Sequence, residues 1–296
     1  MSQVLPNAPA QTRATPLPGR RKRWWLLVLA VLLTVGALAG GWKYYSFYYH
    51  VTRQESSGAV KRSSFAAQLR GQPVKLLLYQ QESPVNQPLV FFTSGDGGWS
   101  PFCADIAAHL AATGYTVVAF DVKNYLTTFA TPEKPATPED LNRDYNELLK
   151  AALARPGVDA QQPFTLAGWS VGAGYSVLLA TQDDMKNRVG RVLAISLPVK
   201  NQLAWKPTDA IIYVTKGVPD EKTFDAHDYV GQLAPVPFLL FNASDDDTAP
   251  LADAQSLLSR ASTPKQLYVV NAHGHHFEGG ESEFFQKLYE SLKGKQ

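Results

Sequence analysis

The chain has 296 residues, of which 45% are hydrophobic and 18% charged, and its only cysteine is Cys103. That balance excludes a largely disordered chain and an intramolecular disulfide scaffold, and the length allows one large domain or two small ones. The net charge of +2 hides an asymmetry: residues 1–50 hold Arg13, Arg20, Arg21, Lys22, Arg23 and Lys43 and no acid, which leaves −4 on the remainder and argues against a nucleic-acid partner.

Residues 1–23 form a Pro-, Gln-, Ala- and Thr-rich tail that reads as disordered and ends in the basic run "RRKR" at 20–23. "WWLLVLAVLLTVGALAGGW", residues 24–42, follows without a charge and is long enough to span a bilayer. Arginine and lysine on its N-terminal flank place that flank in the cytoplasm, while Trp24, Trp25, Trp42 and the "YYSFYY" beyond supply interfacial aromatics. The rest of the chain would then face the far side of that membrane, tethered by a single pass, with 43–60 as a juxtamembrane linker. A cleaved signal peptide is the rival, since Ala37 and Ala39 form an A-x-A pattern; the long polar segment before the run and the aromatic belts favour an uncleaved anchor.

From residue 61 to 296 we expect one domain, with no internal repeat. Short apolar runs of strand length recur at 74–80, 88–94, 115–122, 163–168, 189–197, 236–244 and 265–272, and "DAIIYVTKG" at 209–217 is a further strand or an excursion. Helix-length segments lie between several of them. "WSPFCADIAAHLAATG" has apolar residues at helical spacing, with Cys103 as a buried small hydrophobe. "TPEDLNRDYNELLKAALARPG" opens on a capping threonine, Thr137, with Pro138 at the first helical position, and closes on Pro-Gly. Strands alternating with helices predict an α/β fold: a mainly parallel sheet with helices on both faces and functional groups at the C-terminal ends of the strands.

"FTLAGWSVGAGYS", residues 164–176, carries the strongest chemical signal. Gly168-Trp169-Ser170-Val171-Gly172 lies between an apolar strand and a helix-compatible run, the setting in which G-x-S-x-G lifts a serine hydroxyl to the head of a helix. Free amides and the helix dipole there favour developing negative charge. A serine needs a base and an orienting acid, expected later in the chain. "FLLFNASDDDTAP" offers Asp245, Asp246 and Asp247 after a strand. A G-x-x-D-x-x-x-P spacing read back from Pro250 selects Asp246, and read forward from Asn242 selects Asp245; we take Asp246 as the acid and Asp245 as its alternate. "NAHGHHFEGG" holds three of the six histidines; His275, directly after Gly, is taken as the base, His276 as an alternate or substrate contact, and His273 as a surface residue.

An oxyanion hole needs two N–H donors aimed at one point. The amide of Val171 supplies one, and the glycine-rich "SGDGGWS" at 94–100 supplies the other through Asp96. That loop is not a phosphate-binding P-loop, because no G-K-[ST] ending follows. Lys123, Tyr125 and Lys134, read as loop residues after "VAFDV", are candidates for contact with a phosphate.

"FTSGDGGW", "GWSVGA" and "GHHFEGG" together resemble the bacterial VirJ/AcvB family of the α/β-hydrolase superfamily, and with the acidic loop they span about residues 88–280. The resemblance implies an exported protein of the bacterial cell envelope with an α/β-hydrolase fold, its 24–42 anchor in the inner membrane and its catalytic domain in the periplasm. It also implies a serine hydrolase that cleaves the aminoacyl ester, alanyl or lysyl, of aminoacyl-phosphatidylglycerol without a cofactor. Under it Ser170 is the nucleophile, His275 the base, Asp246 the acid, and Asp96 with Val171 the oxyanion donors. The chain departs from the family at the acid loop, with Asn242 and Pro250 where members often carry Gly and Cys. Three other readings stand beside this one: hydrolysis of another ester or thioester, a metallohydrolase built on the aspartates and histidines, and a non-catalytic envelope binding or chaperone module on a hydrolase fold.

Overall fold

The computed structural model describes residues 28–32, 34, 60–82, 87–206 and 222–293. Met1–Arg53 and Gln54–Gln296 form separate units. In the first, residues 28–32 and 34 are helical and exposed. The rest of the 24–42 span, with the tail and the linker, lies outside the described residues, as does the run at 209–217. Among the described residues no helix is long and apolar enough to cross a membrane.

The second unit is built on an eight-stranded sheet. Its strands are β1 (Val60–Leu69), β2 (Gln72–Gln81), β3 (Leu89–Thr93), β4 (Thr116–Phe120), β5 (Phe164–Trp169), β6 (Val189–Ile195), β9 (Phe238–Asp245) and β10 (Lys265–His273). They run in the order β1-β2-β4-β3-β5-β6-β9-β10. β2 pairs antiparallel with both neighbours, and every later pair is parallel. β7 (Lys200–Gln202) and β8 (Thr223–Asp225) form a separate antiparallel pair.

The parallel strands read as continuous apolar runs because both faces are covered. In β3, Leu89 and Phe91 point into one core and Val90 and Phe92 into the other. Helices α1 (Pro101–Ala112) and α8 (Glu281–Lys293) cover the second face with Phe102, Ile106, Phe284 and Leu288. α3 (Pro138–Leu153) and α4 (Val171–Ala180) cover the first with Leu141, Tyr145, Leu148, Val177 and Leu178. The remaining helices are α2 (Val122–Phe129), α5 (Asp183–Lys186), α6 (His227–Val230) and α7 (Leu251–Arg260).

Local signals explain the helix boundaries. Thr137 and Asp140 form a reciprocal capping box ahead of α3, with Pro138 at its first turn. Ser100 caps α1 by accepting from the Cys103 amide, and Asp121 caps α2 by accepting from Lys123 and Asn124. Cys103 is buried, as its helical spacing predicts, and burial pushes its thiol up to about 11. The consequence of this topology is positional: the loops after β3, β5, β9 and β10 all leave the same edge of the sheet.

Candidate active site

Ser170 stands between β5 and α4 with φ 57° and ψ −128°, a conformation that side-chain-bearing residues seldom adopt. The flanking glycines are there because nothing larger fits. A Cβ on Gly168 would lie 2.2 Å from the Gly172 carbonyl, and one on Gly172 would lie 2.3 Å from the Thr93 oxygen and 2.4 Å from that of Ser94. The Ser170 amide donates to the Ile195 carbonyl at 2.9 Å, anchoring the turn on β6. Val171, the expected oxyanion donor, opens α4, so its N–H has no acceptor within the helix.

The acid and base predicted from the loops meet. Asp246, 4% exposed, accepts from Nδ1 of His275 at 3.0 and 3.1 Å. It also accepts from the Thr248 and Ala249 amides at 2.9 and 2.8 Å. Burial pushes its carboxyl up, but the His275 bond and charge and the two amides outweigh that and hold it below the ordinary aspartate value. Nε2 of His275 is buried and has no hydrogen-bond partner among the described residues, Ser170 included. An open base is common before substrate binds, since such bonds tighten on forming the complex.

The other candidates separate clearly. Asp245, the alternate acid, pairs with His273 at 2.9 Å, and both are exposed, as expected of a surface histidine. Asp247 accepts from the Thr248 hydroxyl. His276 lies 3.6 Å from Glu278 and packs its ring against Trp169 and Phe102, with centroids 4.7 and 5.6 Å apart. Burial raises the Glu278 carboxyl, and the bond and charge of His276 pull it below its usual value. Asn242, at the glycine place of the acid loop, is fully buried and ties that loop with Nδ2 to the Ala243 and Ala249 carbonyls, both at 3.0 Å.

The loop expected to complete an oxyanion hole lies against the nucleophile. A Cβ on Gly95 would sit 3.2 Å from Cβ of Ser170 and 3.1 Å from the Trp169 ring. A turn closes from Gly98 N–H to Gly95 C=O at 3.0 Å with Asp96 at its second position, half-buried. Ser94 stiffens the turn from below: its hydroxyl accepts from the Val122 amide at 3.0 Å and donates to the Gly95 carbonyl.

Three features differ from the sequence expectation or were missed by it. Tyr125 is not a loop residue facing a phosphate. It is buried in α2, and its hydroxyl donates to Asp144 at 2.8 Å beside Arg70. Gly174 leaves room for the side chain of Asn201 on β7: a Cβ there would be 2.0 Å from Asn201 Oδ1. Trp169, the unspecified position of the motif, donates Nε1–H to the His275 carbonyl at 3.0 Å and so joins the elbow to the histidine loop. That loop is further fixed by Gly274 N–H to the Asp245 carbonyl at 2.7 Å.

A second Asp–His–Ser arrangement tests whether hydrogen bonds alone mark a nucleophile. Asp225 bonds Nδ1 of His227 at 2.9 Å, and Nε2 of His227 meets the Ser256 hydroxyl at 3.0 Å. Ser256, however, lies in the middle of α7, where the neighbouring amides are spent on the helix, so it has no free helix-opening amide beside it of the kind Val171 supplies to Ser170. It is a tether between β8 and α7. Among the described residues no three His, Cys, Asp or Glu side chains are grouped to hold a metal ion.

Solved structures share this architecture. A putative dienelactone hydrolase from Klebsiella pneumoniae superposes with a TM-score of 0.59 at 15% identity, covering 80% of this chain and 100% of its own. The esterase domain of a Rhodothermus marinus protein gives 0.54 at 19% identity, with 78% and 96% covered. Est1E from Butyrivibrio proteoclasticus gives 0.55 at 12% identity, with 77% and 97% covered. At these identities the likeness establishes the α/β-hydrolase fold. Among curated proteins none matches this chain. The sequence profile of the bacterial virulence protein (VirJ) matches residues 87–296, a stretch that contains the elbow, the acid and histidine loops and the 94–100 turn, and the chain therefore belongs to the VirJ family.

Proposed function

We propose that this chain is a serine hydrolase of the cell envelope that cleaves the aminoacyl ester of aminoacyl-phosphatidylglycerol. The observation that carries the hydrolase reading is the His275–Asp246 pair, with an open Nε2, at the same sheet edge as a strained Ser170 backed by the Gly95 turn. In this reading Nε2 of His275 takes the Ser170 proton as Oγ attacks the aminoacyl carbonyl. The amides of Val171 and Asp96 hold the oxyanion, and the departing glycerol oxygen receives the proton from His275. Water, deprotonated by the same nitrogen, then attacks the acyl-serine and releases the amino acid.

The lipid assignment rests on the family resemblance and on the 24–42 span, which as an inner-membrane anchor would hold the catalytic body in the periplasm beside its substrate at high effective concentration. Asp96 and the acid loop put negative charge near the site, which suits an ester bearing a free ammonium group. The test is lipid mass spectrometry of cells that make the wild-type protein, Ser170→Ala or none. Aminoacyl-phosphatidylglycerol should accumulate in the last two; equal levels in all three would remove the assignment. Equal turnover of neutral and aminoacylated esters by the purified protein would remove the electrostatic part of it.

A further inference from the structure

Gly98 closes the far end of the turn whose near end touches Ser170, and it is there that Lys123 runs. A Cβ on Gly98 would lie 3.3 Å from both Cβ and Cδ of Lys123, so the missing side chain gives the lysine stem its path along the turn. The ammonium arrives 5.3 Å above the ring of Trp205. Among the described residues no carboxylate lies within ion-pair distance of it; the nearby Asp121 is occupied in capping α2. Nε1 of Trp205 is buried and has no acceptor among the described residues. Lys123 and Trp205 thus bring an ammonium and an indole N–H, neither with an acceptor among the described residues, beside the turn whose other end touches Ser170. Lys123 is half-exposed, but the buried indole N–H has no water to turn to, and a ligand oxygen would give it the acceptor it lacks.

We propose that Lys123 and Trp205 form an anion subsite that takes the phosphodiester of the substrate while Ser170 attacks its ester. The subsite builds on the function proposed above, whose substrate carries its phosphate one glycerol away from the scissile ester. A phosphate oxygen would accept from the ammonium and from the indole N–H, and the ring would support the glycerol carbons. The free inorganic ion shares this chemistry, so the test separates the two sources.

The decisive measurement is binding without turnover. Full-length protein carrying Ser170→Ala is titrated calorimetrically with glycerophosphoglycerol and, separately, with inorganic phosphate. The diester should bind more tightly than the inorganic ion. Adding Lys123→Met should weaken diester binding at least about tenfold, the equivalent of one charge-assisted hydrogen bond. Lys123→Arg should restore most of it, and Trp205→Phe, which keeps the ring and removes the donor, should weaken it to a smaller degree. Thermal melting of each variant verifies the fold. In the active enzyme, Lys123→Met should reduce the preference for the phosphatidylglycerol ester over the matching diacylglycerol ester by a similar factor, through KM. Diester binding indifferent to Lys123 overturns the subsite, and inorganic phosphate binding as tightly as the diester overturns its assignment to lipid. Lysine-dependent binding without aminoacyl-lipid hydrolysis would retain the subsite and sink the proposed reaction; hydrolysis indifferent to Lys123 would do the reverse.

Discussion

Replacing Ser170 by Gly and, separately, by Ala turns the backbone geometry of the elbow into a stability measurement. Both variants lose the hydroxyl, so the difference between them isolates one Cβ at φ 57° and ψ −128°. A residue with a side chain held in so sparsely populated a region carries about 1–3 kcal/mol of strain. Glycine instead of alanine ordinarily lowers stability by about 0.5–1 kcal/mol, because the unfolded chain gains freedom. Strain should win, leaving Ser170→Gly more stable than Ser170→Ala by about 0.5–2 kcal/mol. For a folded body of this size, where 1 kcal/mol moves Tm by about 2–4 °C, that is a difference of roughly 1–8 °C. Calorimetric melts of the two full-length variants supply the number, and an ester assay should find both inactive. A glycine variant that melts below the alanine one would refute the claim that the elbow stores strain at Ser170.

Four further substitutions probe the site and the half-buried Asp105 on α1. Asp246→Asn should lower kcat by about 10³–10⁴-fold by misassigning the His275 tautomer, while Asp245→Asn, which disturbs only an exposed pair, should stay within a few-fold of wild type; equal losses would undo the assignment of the acid. Trp169→Phe keeps the ring and deletes the bond to the His275 carbonyl, so kcat should fall by about 10²-fold if the base shifts by an ångström. An unchanged kcat with a lowered Tm would make Trp169 a packing residue only. Asp105 on α1 is pushed up to about 7 by burial, with Arg62 pulling it back in part. The folded state therefore holds that proton longer than the unfolded chain does, and stability falls as pH rises from the ordinary aspartate value towards 7. Asp105→Asn should raise Tm at pH 8 and change it little at pH 4; an equal gain at both would exclude the buried charge as its cause.

The interior strands were legible because a parallel strand covered on both faces has to be apolar throughout, and β3 to β6 contain little else. β1 was not legible, since "VKRSSFAAQL" is an edge strand that buries only Ala67 and Leu69. The punctuation of the site was readable: Gly168 and Gly172 around Ser170, and histidines after the last strand. The choice among three consecutive aspartates was not, because it depends on where β9 stops. Asp245 is its last residue and in register with His273, whereas Asp246 lies past the strand and turns inward to His275. Tyr125 was misplaced because "VKNYLTTF" is short and β-branched, a poor helix by propensity that Asp121 nevertheless caps and the core accepts. The roles of Trp169 and Trp205 had no local signal at all, as each depends on residues remote in the chain.

The indole bridge from Trp169 to the His275 carbonyl bears on how this enzyme could diversify. Position 169 and the 273–280 segment share one bond, so a change in either is felt by the other, and natural or laboratory variation at the two should be correlated rather than independent. An elbow moved into a different hydrolase without that histidine segment would arrive with its indole unmet and its base free to drift. The smallest portable piece of this site is therefore not the five-residue serine motif but the motif together with the returning loop that it holds.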